Sequence, residues 1–145
     1  VDREVTALTS AITGALAGAP HPRAAAEQAT EAFLRYIEER EEGFRILVRD
    51  APSSPSAGTF ASVISDVAAA AEELLLREFK DRGFDRNTAP MYARMLVGAV
   101  ALVGEWWLDA GKPSREQVAA HVVNLMWNGL RGLDEKPTLR TVVGG

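Results

Sequence analysis

The sequence predicts an all-α fold, and three observations predict it. Apolar residues recur at helical spacing along almost the whole chain, as in Val5, Leu8, Ile12 and Leu16. Nowhere do polar and apolar residues alternate over the length of a strand. Between the periodic stretches stand the residues of helix ends: Pro at a start, Gly at a stop, Ser, Thr or Asn just before a first turn. The expected architecture is an antiparallel bundle of about five to six helices.

The first helix is expected over Asp2 to Leu16, stopping in Ala17-Gly18-Ala19-Pro20. Pro22 suits the first position of the second, where its missing N–H would be unpaired in any case. That helix runs to about Arg40, with Ala26, Ala29, Phe33, Tyr36 and Ile37 as its stripe. Glu41-Glu42-Gly43 is expected to break it. A short amphipathic piece, Phe44 to Arg49, follows and needs a packing partner to hold as a helix. Asp50 to Gly58, rich in Pro, Ser and Gly, is a loop. A long helix from about Thr59 to Asp81 then carries Phe60, Val63, Ile64, Val67, Leu74 and Phe79, with an alanine-rich middle that permits close helix approach. Gly83 supplies the left-handed residue that commonly ends a helix. Asn87 or Thr88 caps the next, which tolerates Pro90 in its first turn.

Met91 to Leu133 reads as two helices joined by Gly-Lys-Pro-Ser, and both are apolar over more than one face. The first leaves little beyond Arg94, Glu105 and Asp109 for solvent. The second starts on a capping box, Ser114 with Gln117 three residues on. It keeps one polar strip: Gln117, His121, Asn124, Asn128 and Arg131. A helix apolar almost all round has neighbours almost all round. Either these two are the buried pair of one large core, or a second subunit covers them. Val97, Ala101, Gly104 and Leu108, small at the centre of their stripe, favour an interface, with Val118, Val122, Leu125 and Gly129 facing them from the last helix.

Composition bounds the function. With 145 residues, 47% hydrophobic and 25% charged, this is one domain of ordinary globular make-up. A net charge of -4 opposes a grip on nucleic acid by this stretch alone. The lack of cysteine excludes disulfides and thiolate metal sites. No apolar run reaches the length of a membrane span and no basic-then-apolar leader opens the chain, so a cytoplasmic protein without a membrane partner is expected. The chain opens at Val1, already in a helical pattern, and reads as a piece of a longer protein.

Chemistry is sparse. His21 and His121 lie in different elements with no ligand-spaced partner, which reads as surface or interface histidine. Glu38, Glu39, Glu41 and Glu42 lie away from the Phe33, Tyr36 and Ile37 stripe, on what reads as a solvated face and not an inward carboxylate site. No phosphate loop, nucleophile elbow or Cys/His pair occurs. Neither an enzyme nor a cofactor or metal is expected. What stands out is apolar: Phe33, Tyr36, Ile37, Phe44, Leu47, Phe60, Ile64, Met95, Ala99 and Trp106. They are either plain core or the lining of a pocket between the 22–41, 59–82 and 88–110 helices, where bundles build ligand sites.

The order of elements resembles the C-terminal regulatory region of TetR-family transcriptional regulators. EAFLRYIEEREEGFRILVRD (31–50), LVGAVALVGEWWLDAGKPSREQVAAHVVNLMWNGL (96–130) and VDREVTALTSAITGAL carry the resemblance, the Gly98 to Asp109 run and Trp127 to Leu130 most specifically. It implies a regulatory domain over 1–133, with 1–16 the helix that connects to a DNA-reading helix-turn-helix head, which is not among these residues, and 134–145 an irregular tail. It further implies a homodimer through a four-helix bundle made by the last two long helices, and an enclosed pocket for a small lipophilic effector. Members with a stretch like 35–50 include regulators of lipid metabolism that sense long-chain acyl-CoA, which makes an acyl ligand a candidate. DNA would be reached only through the head, and the lever that a ligand shifts would be Val1 to Leu16, packed on the body through Val5, Leu8 and Ile12. The rival reading is a helical protein-protein interaction module with no ligand.

Overall fold

The computed structural model describes residues 2–49 and 59–141. The loop expected at 50–58 and the last four residues of the tail lie outside them. Six α-helices and one 3-10 turn make up the described chain, with no strand among the described residues: α1 (Asp2–Gly18), α2 (Pro22–Glu39), α3 (Glu41–Arg49), α4 (Phe60–Arg82), the turn Arg86–Thr88, α5 (Ala89–Ala110) and α6 (Arg115–Arg131). Residues 133–141 carry no helix.

Helix ends follow side-chain chemistry. His21 starts α2 as an N-cap, its Nδ1 accepting from the Ala24 N–H at 3.2 Å, with Pro22 behind it. Thr59 and Ser62 close a reciprocal capping box on α4, and Ser114 and Gln117 do the same on α6. Gly83 and Gly111 end α4 and α5 at φ 76° and 69°, a region where a Cβ is strained. One expectation shifts. Glu41-Glu42-Gly43 does not break the helical run but opens α3, and the break falls on Arg40 alone (φ -134°, ψ 48°). Two carboxylates in a first turn lie at the positive end of the helix dipole, which favours a start there.

Packing makes α2 the hub of the fold. α1 lies along it as one hairpin, α6 crosses it, and α3 and α5 touch it as well; α4 pairs with α5 and rests on α1. The sequence pointed to α5 and α6 as the organising pair, yet the central helix is the shorter-striped α2. Its Phe33, Leu34 and Ile37 are almost wholly buried. Each such side chain contributes roughly 1.5–3 kcal/mol relative to exposure. Phe33, Phe44 and Phe60 form a chain of edge-to-face rings, 5.7 and 5.5 Å between centroids, that joins α2, α3 and α4. Burial of Phe44 and Leu47 in this cluster is the partner that the short α3 required. A second, smaller core gathers Leu75, Phe79, Ala89 and Ala93 where α4 turns into α5, with Phe84 and Tyr92 edge-on to Phe79.

Polar contacts tie the outside. Arg45 donates to Asp109 at 2.8 Å, joining α3 to the end of α5. Arg115 Nη1 meets Glu38 at 2.5 Å, joining α6 to α2. Arg115 Nε is 3.2 Å from Glu31, close enough for an ion pair but too far off line for a hydrogen bond. Such pairs contribute about 0–1 kcal/mol each.

Candidate ligand-binding site

Between α1, α2, α4, α5 and α6 lies an apolar cavity of about 160 Å³. Small residues account for it. The α2 wall is Ala25, Ala26, Ala29 and Thr30, and Ala71 lies opposite on α4. Close packing leaves few voids larger than a water, so volume of this size requires walls that stop short of meeting. α4 lines the cavity from Phe60 to Arg82, about 33 Å of helix at 1.5 Å per residue, which makes the cavity elongated. α5 contributes Leu96, Val97, Val100 and Ala101, and α6 contributes Met126 and Leu130. Ile12 and Leu16 bring α1 into the same wall.

The two ends differ. Phe33, Phe60, Val63 and Ala101 are buried and apolar. Towards the other end stand Glu78, half-buried, and Arg82, exposed. Arg82 is committed elsewhere: Nη1 donates to the Leu130 carbonyl at 2.9 Å and Nη2 to that of Arg131 at 3.3 Å, with its guanidinium 4.5 Å from the Phe84 ring centroid. It thereby caps the last carbonyls of α6. Glu78 makes no hydrogen bond or ion pair among the described residues. Thr30 is the one buried polar residue of the described core, at 3% exposure.

Of the ten residues that the sequence suggested for a pocket, Phe33, Phe60 and Ile64 line this cavity. Ile37, Phe44 and Leu47 are packed into the adjoining core, and Tyr36 is half-buried against it. Met95, Ala99 and Trp106 are not brought to the cavity at all. They lie on the outer face of α5, Met95 at 49% and Trp106 at 57% exposure. The interface set divides as well. Val97 and Ala101 turn inward to the cavity. Gly104 and Val118 are buried within the chain, while Leu108 and Val122 are half-buried against its core. Leu125 and Gly129 are exposed.

The small stripe of α5 thus faces the interior of the chain, and the physical reason sits at Gly104. A Cβ there would stand 2.5 Å from Phe33 Cε2 and 2.8 Å from Ile37 Cδ1, so the small stripe of α5 is what lets α2 approach. The large side chains go outward. Met91, Met95, Leu102 and Trp106, spaced 4, 7 and 4 residues apart, form one exposed stripe, with Leu125 exposed on α6. Four large apolar residues in line on one helix are more than the scattered exposure that needs no explanation. Sequence reasoning missed Ala25, Thr30 and Val67 as lining, because nothing in their spacing separates a wall from a core. It also missed His21 as a cap, although its place just before Pro22 was a usable signal.

Among the described residues no group of three or more His, Asp or Glu is placed to hold a metal ion. No described helix is long and apolar enough to cross a membrane. The arrangement of helices and cavity has a counterpart in sequence: the tetracyclin repressor-like C-terminal domain family matches residues 22–129, well over half of the chain. The chain belongs to this family. The match takes in α2 to α6 almost entire and with them most of the cavity; α1 lies before it. This tetracyclin repressor-like domain is all-α, as expected of a TetR-family regulatory region.

Proposed function

We propose that this domain is the effector-sensing and dimerising body of a TetR-family transcriptional regulator, a repressor. A small lipophilic molecule, fatty acyl compounds among the candidates, occupies the cavity, and DNA is read by a helix-turn-helix head preceding α1. The domain spans residues 1–133, with α1 as the connecting helix. The observation that carries this reading is the composition of the cavity wall, where Ile12 and Leu16 of α1 stand beside residues of α2, α4, α5 and α6. A molecule seated there touches the connecting helix and the body at once. Its binding free energy then depends on where α1 sits, which is what a two-state switch needs. No catalytic chemistry is proposed.

Dimerisation uses the outer faces of α5 and α6: Met95, Ala99, Leu102 and Trp106 on one, Leu125 and Gly129 on the other. A two-fold contact meets itself, so this stripe counts twice in the burial it supplies. Support comes from the exposure of these side chains together with the family match.

The test is thermal melting of the chain with fatty acids, acyl-CoAs, aromatic hydrocarbons and their uncharged derivatives. A saturable rise in melting temperature with at least one class is expected, since a ligand that binds only the folded state stabilises it by mass action. If no compound shifts the melt, the cavity is not a binding site, and a helical protein-protein interaction module takes the place of the effector reading.

A further inference from the structure

The effector reading leaves the chemistry of the effector open, and two side chains in the cavity wall narrow it. Thr30 lines the cavity at 3% exposure, and its hydroxyl makes no hydrogen bond among the described residues. A threonine in mid-helix commonly donates back to the carbonyl four residues earlier, as Thr13 does to Thr9 at 2.8 Å. Thr30 does not. Its oxygen is not one of the fully enclosed side-chain atoms that lack a partner, which are Thr9 Oγ1 and Arg115 Nε among the described residues; it keeps access to the cavity that Thr30 lines, where a bound molecule can reach it. The second side chain is Glu78, a carboxylate in the same wall without a partner among the described residues. The one cation among the described lining residues, Arg82, is exposed and directs Nη1 and Nη2 to the Leu130 and Arg131 carbonyls, away from the buried part of the wall where Thr30 stands.

Resting on the effector reading, we infer that the molecule this cavity selects is an uncharged lipophile bearing one hydrogen-bonding group, a hydroxyl or carbonyl, which pairs with the Thr30 hydroxyl. A carboxylate or a phosphorylated head group at Thr30 would sit in a wall that is apolar apart from Thr30, Glu78 and Arg82, with no cation beside it on α2. Burying an unpaired charge is far costlier than burying a neutral polar group that gains a hydrogen bond. An acyl chain fits this selection as an alcohol, ketone or ester, and not as the free acid or the acyl-CoA. Threonine serves either kind of neutral partner, because its hydroxyl both donates and accepts. Although its lining extends along α4, the cavity holds only about 160 Å³; an apolar cavity of about 150 Å³ takes up benzene, so one aromatic ring with a short polar arm is the size of probe to use.

Four compounds with one aromatic body test this: ethylbenzene, 2-phenylethanol, phenylacetate and 2-phenylethylammonium, titrated calorimetrically into the whole chain at pH 7. 2-Phenylethanol should bind about 3–10-fold more tightly than ethylbenzene, the range of one net hydrogen bond, and phenylacetate at least about tenfold more weakly than the alcohol. Thr30→Val, which keeps the shape and removes the hydroxyl, should abolish the advantage of the alcohol while ethylbenzene binds at least as well as before. Thr30→Ser should retain the advantage, and Glu78→Gln should improve phenylacetate selectively. Equal loss of alcohol and hydrocarbon binding in Thr30→Val would mean a damaged wall and not a lost hydrogen bond. An unchanged ratio, or phenylacetate or the ammonium binding as tightly as the alcohol, overturns the assignment while leaving the cavity a binding site. Binding by none of the four, nor by the wider lipophile panel, overturns the effector reading and this inference with it.

Discussion

Adding one methyl group at Gly104 tests how closely α5 is seated on α2. The Cβ of Gly104→Ala would stand 2.5 Å from Phe33 Cε2, 2.8 Å from Ile37 Cδ1 and 3.0 Å from Phe33 Cζ. Carbon contacts are most favourable near 3.5–4.0 Å, so about 1 Å of relief is needed. Phe33 and Ile37 are 5% and 1% exposed, and the Phe33 ring is held edge-on to Phe44, itself at 0%. Overpacking of this kind costs about 1–3 kcal/mol. The substitution also gains about 1 kcal/mol of helix propensity. A net loss of about 1 kcal/mol is expected, seen as a fall in melting temperature of about 2–4 °C. The loss is kept small because Phe33 borders the cavity and has one side on which to yield, and that displacement should weaken ligand binding in the same variant. Gly14→Ala is the control: nothing lies within 4 Å of its Cβ, so propensity alone acts and stability should rise by roughly 0.5–1 kcal/mol. Should Gly104→Ala raise the melting temperature as Gly14→Ala does, Gly104 is not seated under Phe33, and the inward assignment of the small α5 stripe fails.

The remaining predictions concern assembly, helix ends and DNA. The chain should sediment as a dimer at micromolar concentration, and Trp106→Glu should shift it to monomer with little change in the folding of one subunit, since Trp106 is 57% exposed; an unaffected dimer removes the outer α5 face from the interface. Ser114→Ala deletes the side chain that accepts from the Gln117 N–H at 3.3 Å and should cost about 1 kcal/mol in chemical denaturation, whereas no loss would show that α6 starts independently of its capping box. Trp107→Phe removes the 2.7 Å hydrogen bond from the indole N–H to the Pro113 carbonyl and should destabilise by about 1–2 kcal/mol; a neutral result would mean that water replaces the indole at that carbonyl. With a net charge of -4, residues 1–145 should show no sequence-specific DNA affinity in a gel shift at physiological salt, and a nanomolar shift would refute the assignment of DNA reading to a separate head.

Helix identity was legible in the sequence because it depends on neighbours three and four residues away. Val5, Leu8, Ile12 and Leu16 announced α1, and all four are buried. The Ser114 and Gln117 capping box, the Pro22 start and the Gly83 stop were each readable from one or two residues, since a cap is local chemistry. Local reasoning slipped at Glu41 to Gly43, where the dipole preference of two glutamates outweighed the break expected from glycine, at His21, and at the start of α5, where Thr88 holds the N-cap position but its hydroxyl donates back to the Asp85 carbonyl and caps no N–H. The fold family was legible as well, on the order of elements and the α5–α6 stretch.

Which face of a helix points where was not legible for α5, because that helix is apolar on nearly every side and periodicity has then no polar sector to orient it. The assignment rests on one steric fact that spans distant positions: Phe33 and Ile37 occupy the space a side chain at 104 would need. That contact turns the Val97, Ala101, Gly104 stripe inward and carries Met95, Leu102 and Trp106 to the surface. The cavity is of the same kind. Alanine at 25, 26, 29 and 71 reads in sequence as good helix-forming residue and nothing more; only the spacing of α2 from α4, held at one end by the bulky Phe33, Phe44 and Phe60, converts small side chains into volume. By itself, then, the sequence determined the helices, their ends and the family, all of which follow from interactions short in chain distance. The tertiary structure decided which faces are inside, where the cavity lies and that Thr30 is its buried hydroxyl, because each depends on atoms brought together from three or more helices at once.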